Sequence, residues 1–122
     1  MELHNAIMHI IDGNSIIIMG SGASYGAKNT IGPLPSANGL AEQLYSKCGI
    51  DPDDKNDLQD AAQCYEEMFS ANALIQELRI QFSCASFTPS HEVIYAQPWT
   101  RYYTTNYDDV ALLAAAKSGK HL

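Results

Sequence analysis

The chain has 122 residues, of which 46% are hydrophobic and 17% are charged, and its formal net charge is −7 at neutral pH. These proportions are ordinary for a globular protein and argue against intrinsic disorder. The length predicts one domain, or part of one, over residues 1–122. A nucleic-acid surface normally clusters Lys and Arg, whereas the seven basic residues here are scattered singly. We therefore expect no direct contact with DNA or RNA.

The three cysteines, Cys48, Cys64 and Cys84, are odd in number and lie far apart, with no Cys-x-x-Cys pair. This pattern predicts free thiols in a reducing cytoplasm and no metal site. The N-terminus carries the acidic Glu2 and lacks a basic segment followed by an apolar stretch, so we expect no signal peptide. The longest apolar run is too short to cross a bilayer. A cytoplasmic protein without a membrane partner is the resulting expectation.

The first elements are a helix, a strand and a turn rich in small residues. Apolar residues at helical spacing predict a helix over about 2–11, and Gly13 stands where it would end. The continuous apolar run at 15–19 predicts a buried strand with both sheet faces covered. The turn at 20–24 follows directly. The loop at 25–35, rich in Gly and Pro, is long enough to act as a ligand lid.

Helical periodicity continues through the middle of the chain, where it predicts four helices at about 37–47, 58–69, 71–83 and 91–96. Ser36, Asp57 and Ser90 are the residues expected to cap three of them. We expect the aromatic and Met residues in these helices to lie in the core. The acidic stretch Asp51–Asn56 is expected to be a solvated connection. His91, at the start of the fourth helix, is expected to be structural rather than a ligand.

A second strand is predicted over residues 101–105, where aromatic and β-branched residues cluster, and a last helix over about 109–117. Asp108 or Asp109 would suit the N-terminal end of that helix. Two strands separated by a helical crossover should be parallel. The expected fold is therefore α/β, with a Rossmann-like parallel sheet and helical crossovers.

Parallel strands bring their carboxyl ends to one edge of the sheet, and ligands of open α/β sheets bind at that edge. This geometry predicts that the turn after Met19 and the turn after Thr105 meet. Gly20 and Gly22 can adopt backbone angles closed to other residues and can let a phosphate approach the N–H groups of the turn. An acidic chain can bind an anion in this way because N–H dipoles replace side-chain charge.

Two stretches resemble the signature motifs of the sirtuins. Gly20-Ser21-Gly22-Ala23-Ser24 is similar to their Gly-Ala-Gly-x-Ser motif, and Thr104-Thr105-Asn106-Tyr107-Asp108 looks like the Thr-Thr-Asn-Tyr-Asp variant of their Thr-Gln-Asn-Ile-Asp motif. With Pro98-Trp99 just before it and His91 in the preceding helix, that variant is typical of prokaryotic sirtuin-like domains. These domains occur in anti-phage defence systems, where they commonly hydrolyse NAD. The resemblance covers almost the whole chain and implies the N-terminal half of such a domain.

The resemblance implies that NAD is the ligand. The turn at 20–24 would bind its pyrophosphate, and the loop at 25–35 would cover the nicotinamide riboside. Asn106 would orient the ribose or an attacking water, and Asp108 would help to hold the nicotinamide end or the geometry of the site; these two are the implied catalytic residues. The implied NAD-binding residues are Gly20, Ser21, Gly22, Ala23, Ser24, Thr104, Thr105, Asn106 and Asp108. No residue is implied to bind a metal.

Each site residue also has a purely structural interpretation. Asn106 suits a turn, Asp108 and Asp109 suit a helix cap, and Ser24 could cap a helix after the Gly-rich turn. The family's catalytic histidine lies well downstream of the Asn motif. We do not expect His121, next to the last residue, to take that place.

Three functions therefore stay open at this stage. They are an NAD hydrolase completed by downstream residues, an NAD-dependent protein deacylase, and a non-catalytic module that binds NAD or ADP-ribose or serves as a scaffold. An incomplete sheet leaves an exposed edge. We therefore also expect a homo-oligomer, or association with the rest of the domain or with another defence protein.

Overall fold

The computed structural model describes residues 2–51 and 57–120. Within them lie six α-helices, two β-strands and one 3₁₀ turn, so the predicted α/β class is confirmed. In chain order these elements are α1 (Leu3–Ile11), β1 (Ile16–Met19), the 3₁₀ turn (Ser21–Ser24), α2 (Ala37–Lys47), α3 (Leu58–Met68), α4 (Ala71–Phe82), α5 (Pro89–Tyr95), β2 (Arg101–Thr104) and α6 (Val110–Lys117). Two sequence expectations, the solvated connection through 52–56 and the tail residue His121, lie outside the described residues.

The two strands pair in parallel, as predicted. Ile16 stands opposite Arg101 and Met19 stands opposite Thr104. The pairing extends past β2, because the N–H of Thr105 donates to the carbonyl of Met19 over 3.2 Å. Both strands therefore end at the same edge, and the two predicted site turns leave the sheet side by side.

Only one face of this sheet is covered by the described part of the chain. Ile17, Met19 and Tyr102 pack into the core, whereas Ile18 is 73% exposed and Tyr103 is 51% exposed on the opposite face. The expectation of a strand covered on both faces is therefore wrong for the described residues. The apolar run makes β1 suitable for burial on both sides, but burial needs a second layer that sequence pattern alone does not supply.

The core has two parts. One lies between α2 and α3 and is closed by α4, with Leu40, Leu44 and Tyr65 among its buried side chains. The other joins β1 to α5 and α6 through Met19, Tyr95, Val110, Ala114 and Ala115. The crossover helices thus bury their own apolar faces while they return the chain to the sheet.

Two side chains expected in the core lie outside it. Met68 is 57% exposed and Phe69 is 51% exposed, although they continue the apolar pattern of α3. The buried residues of α3 are Ala61 and Tyr65, and every residue from Glu66 to Phe69 is exposed. Phe69 instead rests against the ring of Tyr65, with the ring centroids 4.7 Å apart.

Two of the three predicted helix caps are confirmed. The Ser36 hydroxyl accepts from the N–H of Gly39, and the Asp57 carboxylate accepts from the N–H of Gln59. The third prediction, Ser90 as the cap of α5, is wrong. Thr88 caps this helix instead. Pro89 opens the helix rather than breaking it, because its fixed φ and missing N–H suit the first turn.

An ion pair links α2 to α4. The Lys47 ammonium donates to Glu77, whose side chain also accepts from the Gln81 amide over 3.1 Å. Burial raises the pKa of Glu77, but the hydrogen bonds from Lys47 and Gln81 outweigh it and hold that pKa below its usual range. Since the folded pKa is depressed, the stabilisation is present above the unfolded pKa of about 4.3 and is lost as the pH falls through the folded value.

We expect Glu77→Gln to lower the free energy of unfolding by about 1–2 kcal/mol at pH 7, because it removes the negative charge of the group that accepts from Lys47. The deficit should shrink as the pH falls below the unfolded pKa of about 4.3 toward the depressed folded pKa of Glu77. Urea unfolding at pH 7 and pH 3 measures both effects. Glu66→Gln, at an exposed position of α3, is the control with the same change in charge. Equal stability of the two variants at pH 7 would contradict the prediction.

Gly26 occupies a position that only glycine fits. Its φ is +91°, and a Cβ there would lie 2.9 Å from Thr88 Cγ2. We expect Gly26→Ala to cost about 1–3 kcal/mol of stability through backbone strain and the clash. At Gly32 a Cβ would meet nothing within 4 Å, so Gly32→Ala should leave the urea midpoint almost unchanged. The same midpoint for both variants would refute this account of Gly26.

Candidate functional site

The Gly-rich turn leaves β1 as a single 3₁₀ turn. The N–H of Ala23 donates to Gly20 O over 3.0 Å, and the N–H of Tyr25 donates to Gly22 O over 3.2 Å. A 3₁₀ turn cannot use its first N–H groups internally, and here these belong to Ser21 and Gly22. Two adjacent backbone N–H groups are therefore available to an anion at the end of β1.

The glycines in this turn do not use the backbone freedom that glycine has. Gly20 has φ −113°, and neither Gly20 nor Gly22 is among the residues with positive φ. A Cβ at either position would meet nothing within 4 Å. Packing within the chain does not require glycine at either position. What the two glycines provide is empty space beside the free N–H groups.

The turn after β2 is tied to the Gly-rich turn by Asn106. Its N–H donates to Thr104 Oγ1 over 2.9 Å, which shapes the turn locally. Its side-chain Nδ2 donates to Gly20 O over 2.8 Å and reaches Ser24 Oγ at 3.4 Å. Because a carbonyl oxygen can only accept, the orientation of the amide is determined, and Oδ1 is the side-chain atom free to meet a ligand.

Asp108 makes the second link between the turns. Its Oδ2 accepts from the Ser24 hydroxyl over 2.8 Å, and its Oδ1 accepts from the N–H of Val110 over 3.1 Å. The second bond caps α6, where a carboxylate is also favoured by the helix dipole. Asp109 bonds elsewhere, to the N–H of Cys84 over 2.7 Å. The structural role expected for Asp108 and its place in the site are therefore compatible.

A cavity of about 630 Å³ opens between the two turns. This volume lies in the usual range for a small-molecule site. The predicted site residues that line it are Ser21, Gly22, Ser24, Thr105, Asn106 and Asp108. The loop expected to act as a lid contributes residues between Tyr25 and Pro35 to the cavity lining. The middle of this loop is held by a hydrogen bond in which Asn29 Nδ2 donates to Gln81 O over 2.9 Å.

Three predicted site residues do not line the cavity. Gly20 and Ala23 offer their carbonyls to Asn106 and His91, and Thr104 accepts from the backbone of Asn106. They support the residues that do face the cavity. Three helix residues, Ala37, Leu58 and Phe82, line it without having been expected to. No sequence signal distinguishes them from other apolar residues of their helices.

Two titratable groups outside the cavity lining, Tyr95 and Cys84, have raised pKa values. Burial, together with the charges of Asp108 and Tyr102, raises the pKa of Tyr95. Burial and then the charge of Asp109 raise the pKa of the Cys84 thiol, and hydrogen bonding with the backbone of Ser86 and Lys28 offsets this only in part. Cys84 is therefore a thiol at neutral pH and does not suit a nucleophile's role.

Comparison with known proteins adds no assignment: no family model matches this chain, and no curated protein matches it. In residues 2–51 and 57–120, no three His, Cys, Asp or Glu side chains are grouped so that they could hold a metal ion. None of the helices described for those ranges has the length and apolar character needed to cross a bilayer.

The Ser24–Asp108 link can be measured by a double-mutant cycle. We expect Ser24→Ala to destabilise the fold by about 1–2 kcal/mol, because a hydrogen bond to a charged group is lost. Added to Asp108→Asn, the same change should cost at least about 0.5 kcal/mol less than it does alone. Urea unfolding of the single and double variants measures the coupling. Ser46→Ala, at an exposed site on α2, is the control, and strictly additive effects would argue against the link.

Proposed function

We propose that this chain is an NAD-binding, sirtuin-like domain of the NAD-hydrolysing type found in prokaryotic anti-phage defence. It would cleave the nicotinamide–ribose bond when further residues complete the site. The observation that carries the proposal is the meeting of two turns, distant in sequence, in one cavity. They are joined by the bonds from Asn106 to Gly20 and from Ser24 to Asp108. Both turns also carry the motifs that resemble those of the sirtuins.

The charge distribution supports one orientation of the dinucleotide. The free N–H groups of Ser21 and Gly22 suit the pyrophosphate, since they offer partial positive charge without a basic side chain. The carboxylate of Asp108 would repel a phosphate but attract the cationic nicotinamide ring. We therefore place the pyrophosphate at the Gly-rich turn and the nicotinamide riboside toward Asn106 and Asp108.

The same arrangement suits cleavage of the glycosidic bond. Positive charge builds on the ribose as the bond to nicotinamide breaks. Asn106 Oδ1 and the Asp108 carboxylate are held in place by the bonds described above, so they can stabilise that charge without reorganising. Asn106 Oδ1 can also accept from a ribose hydroxyl or from the attacking water.

The site as described still needs a general base. Among the residues known to line the cavity there is no histidine. We propose that the base comes from the rest of the domain, from a second copy of the chain or from an associated defence protein.

The decisive experiment separates binding from chemistry. The protein is titrated with NAD and with ADP-ribose by calorimetry, and nicotinamide release from NAD is followed by chromatography. For the domain completed by the further residues, we expect nicotinamide release without any acylated peptide. For this chain alone, we expect binding of NAD and ADP-ribose. Release only in the presence of an acyl-lysine peptide would identify a deacylase. Binding without release in the completed domain would identify a non-catalytic module, and the absence of both would overturn the proposal.

We expect Asn106→Ala to abolish nicotinamide release by the completed domain, because it removes both the free Oδ1 and the link to Gly20. Circular dichroism should show that the fold survives. Asn5→Ala, at an exposed position of α1, is the matched control and should release nicotinamide at the wild-type rate. An active Asn106→Ala variant would remove this residue from the catalytic set.

We expect Gly22→Ala to weaken ADP-ribose binding by about tenfold or more, because its methyl group enters the space beside the free N–H groups. Calorimetry measures the effect. Stability should be unchanged, since a Cβ at Gly22 meets no protein atom within 4 Å. Gly32→Ala makes the same chemical change at a glycine that does not line the cavity and should bind like the wild type. Normal binding by Gly22→Ala would place the phosphate elsewhere.

A further inference from the structure

His91 is buried at the start of α5 with only 4% of its surface exposed. Its Nδ1 accepts from the N–H of Thr88 over 3.0 Å, and the Thr88 hydroxyl lies 3.1 Å from the same atom. Its Nε2 lies 2.9 Å from Ala23 O, inside the Gly-rich turn. Because the carbonyl can only accept, Nε2 carries the proton and Nδ1 is free to accept. The two hydrogen bonds thus determine one neutral tautomer.

The hydrogen bond to Ala23 connects His91 to the site through one peptide unit and one further hydrogen bond. The carbonyl of Ala23 belongs to the peptide that joins it to Ser24, and the Ser24 hydroxyl donates to Asp108. The plane of the imidazole is held by Tyr95, whose ring lies nearly parallel to it, with an angle of 9° between the planes. His91 does not line the cavity. Any influence on a ligand must therefore pass through the turn.

We propose that His91 is a positioning residue for the anion-binding turn. By holding the carbonyl of Ala23, it sets the orientation of the Ala23–Ser24 peptide and hence the direction of the Ser24 hydroxyl toward Asp108. The proposal rests on the proposed function, because the ligand whose binding it supports is the pyrophosphate of NAD or ADP-ribose. It differs from a purely structural role, in which His91 would only complete the capping box of α5 with Thr88.

The two ring nitrogens have separate partners, so their roles can be separated by substitution. In His91→Asn the side-chain Oδ1 takes the place of Nδ1 and can still accept from Thr88, but no donor reaches Ala23. In His91→Gln the side-chain Nε2 can reach the Ala23 carbonyl, whereas the cap on Thr88 is weakened. The first variant removes the link to the turn, and the second retains it.

We expect the dissociation constant of ADP-ribose, measured by calorimetry, to rise by about tenfold in His91→Asn and by less than about threefold in His91→Gln. Thermal unfolding of both variants shows whether each is folded at the temperature of the titration. Equal losses of affinity in the two variants, or wild-type affinity in His91→Asn, would reduce His91 to a helix-capping residue and overturn the proposal.

A second measurement tests His91 without any ligand. Amide hydrogen exchange at Ala23 and Tyr25, whose N–H groups close the 3₁₀ turn, should be about tenfold faster in His91→Asn than in the wild type. In His91→Gln it should stay close to wild type. If the wild-type protein binds neither NAD nor ADP-ribose, the proposed function fails while this comparison still decides on His91. Unchanged exchange in His91→Asn would overturn the positioning role on its own.

Discussion

The parallel pairing of β1 with β2 is the constraint on which the rest of this structure depends. Parallel strands cannot be joined by a tight turn, so the chain must cross over through helices before it returns to the sheet. Here the crossover is made by α2 to α5, which bury apolar faces in both parts of the core. The same pairing sends both strands out at one edge, where Met19 and Thr104 stand opposite each other.

The polar groups at that edge serve the fold and the site together. Asp108 caps α6 and receives the Ser24 hydroxyl, and Asn106 holds the carbonyl of Gly20. The bonds to Ser24 and Gly20 connect segments far apart in sequence, so they form only when the sheet is in register. Groups restrained in this way are already oriented before a ligand arrives, which is the condition under which electrostatic stabilisation is most effective.

The chain carries a net charge of −7, and it places a carboxylate beside the turn that we propose for a pyrophosphate. The two features are compatible because the cavity offers groups of both signs. Backbone N–H groups at Ser21 and Gly22 provide positive potential, and Asp108, bonded to Ser24 of the same turn, provides negative charge. A dinucleotide with an anionic centre and a cationic ring matches this combination, whereas a simple polyanion does not.

The local pattern of the sequence was sufficient to predict most of the architecture. Apolar spacing, capping residues and turn chemistry predicted the six helices and both strands, and the rule for crossovers predicted that the strands are parallel. The meeting of the turns at 20–24 and 104–108 followed from that topology. The cap of α5 was misassigned to Ser90 because Pro89 can either break a helix or open one, and the wider context decides between the two.

What the tertiary structure alone decided concerns contacts between distant residues. Within residues 2–51 and 57–120 it left Ile18 and Tyr103 exposed on one face of the sheet, because exposure depends on which layer packs above a strand and not on the strand's own composition. It showed that Gly22 provides space rather than unusual backbone angles. It also brought the His91 side chain to the carbonyl of Ala23, which lies 68 positions earlier in the sequence. Such a contact is determined by packing and leaves no periodic pattern in the sequence.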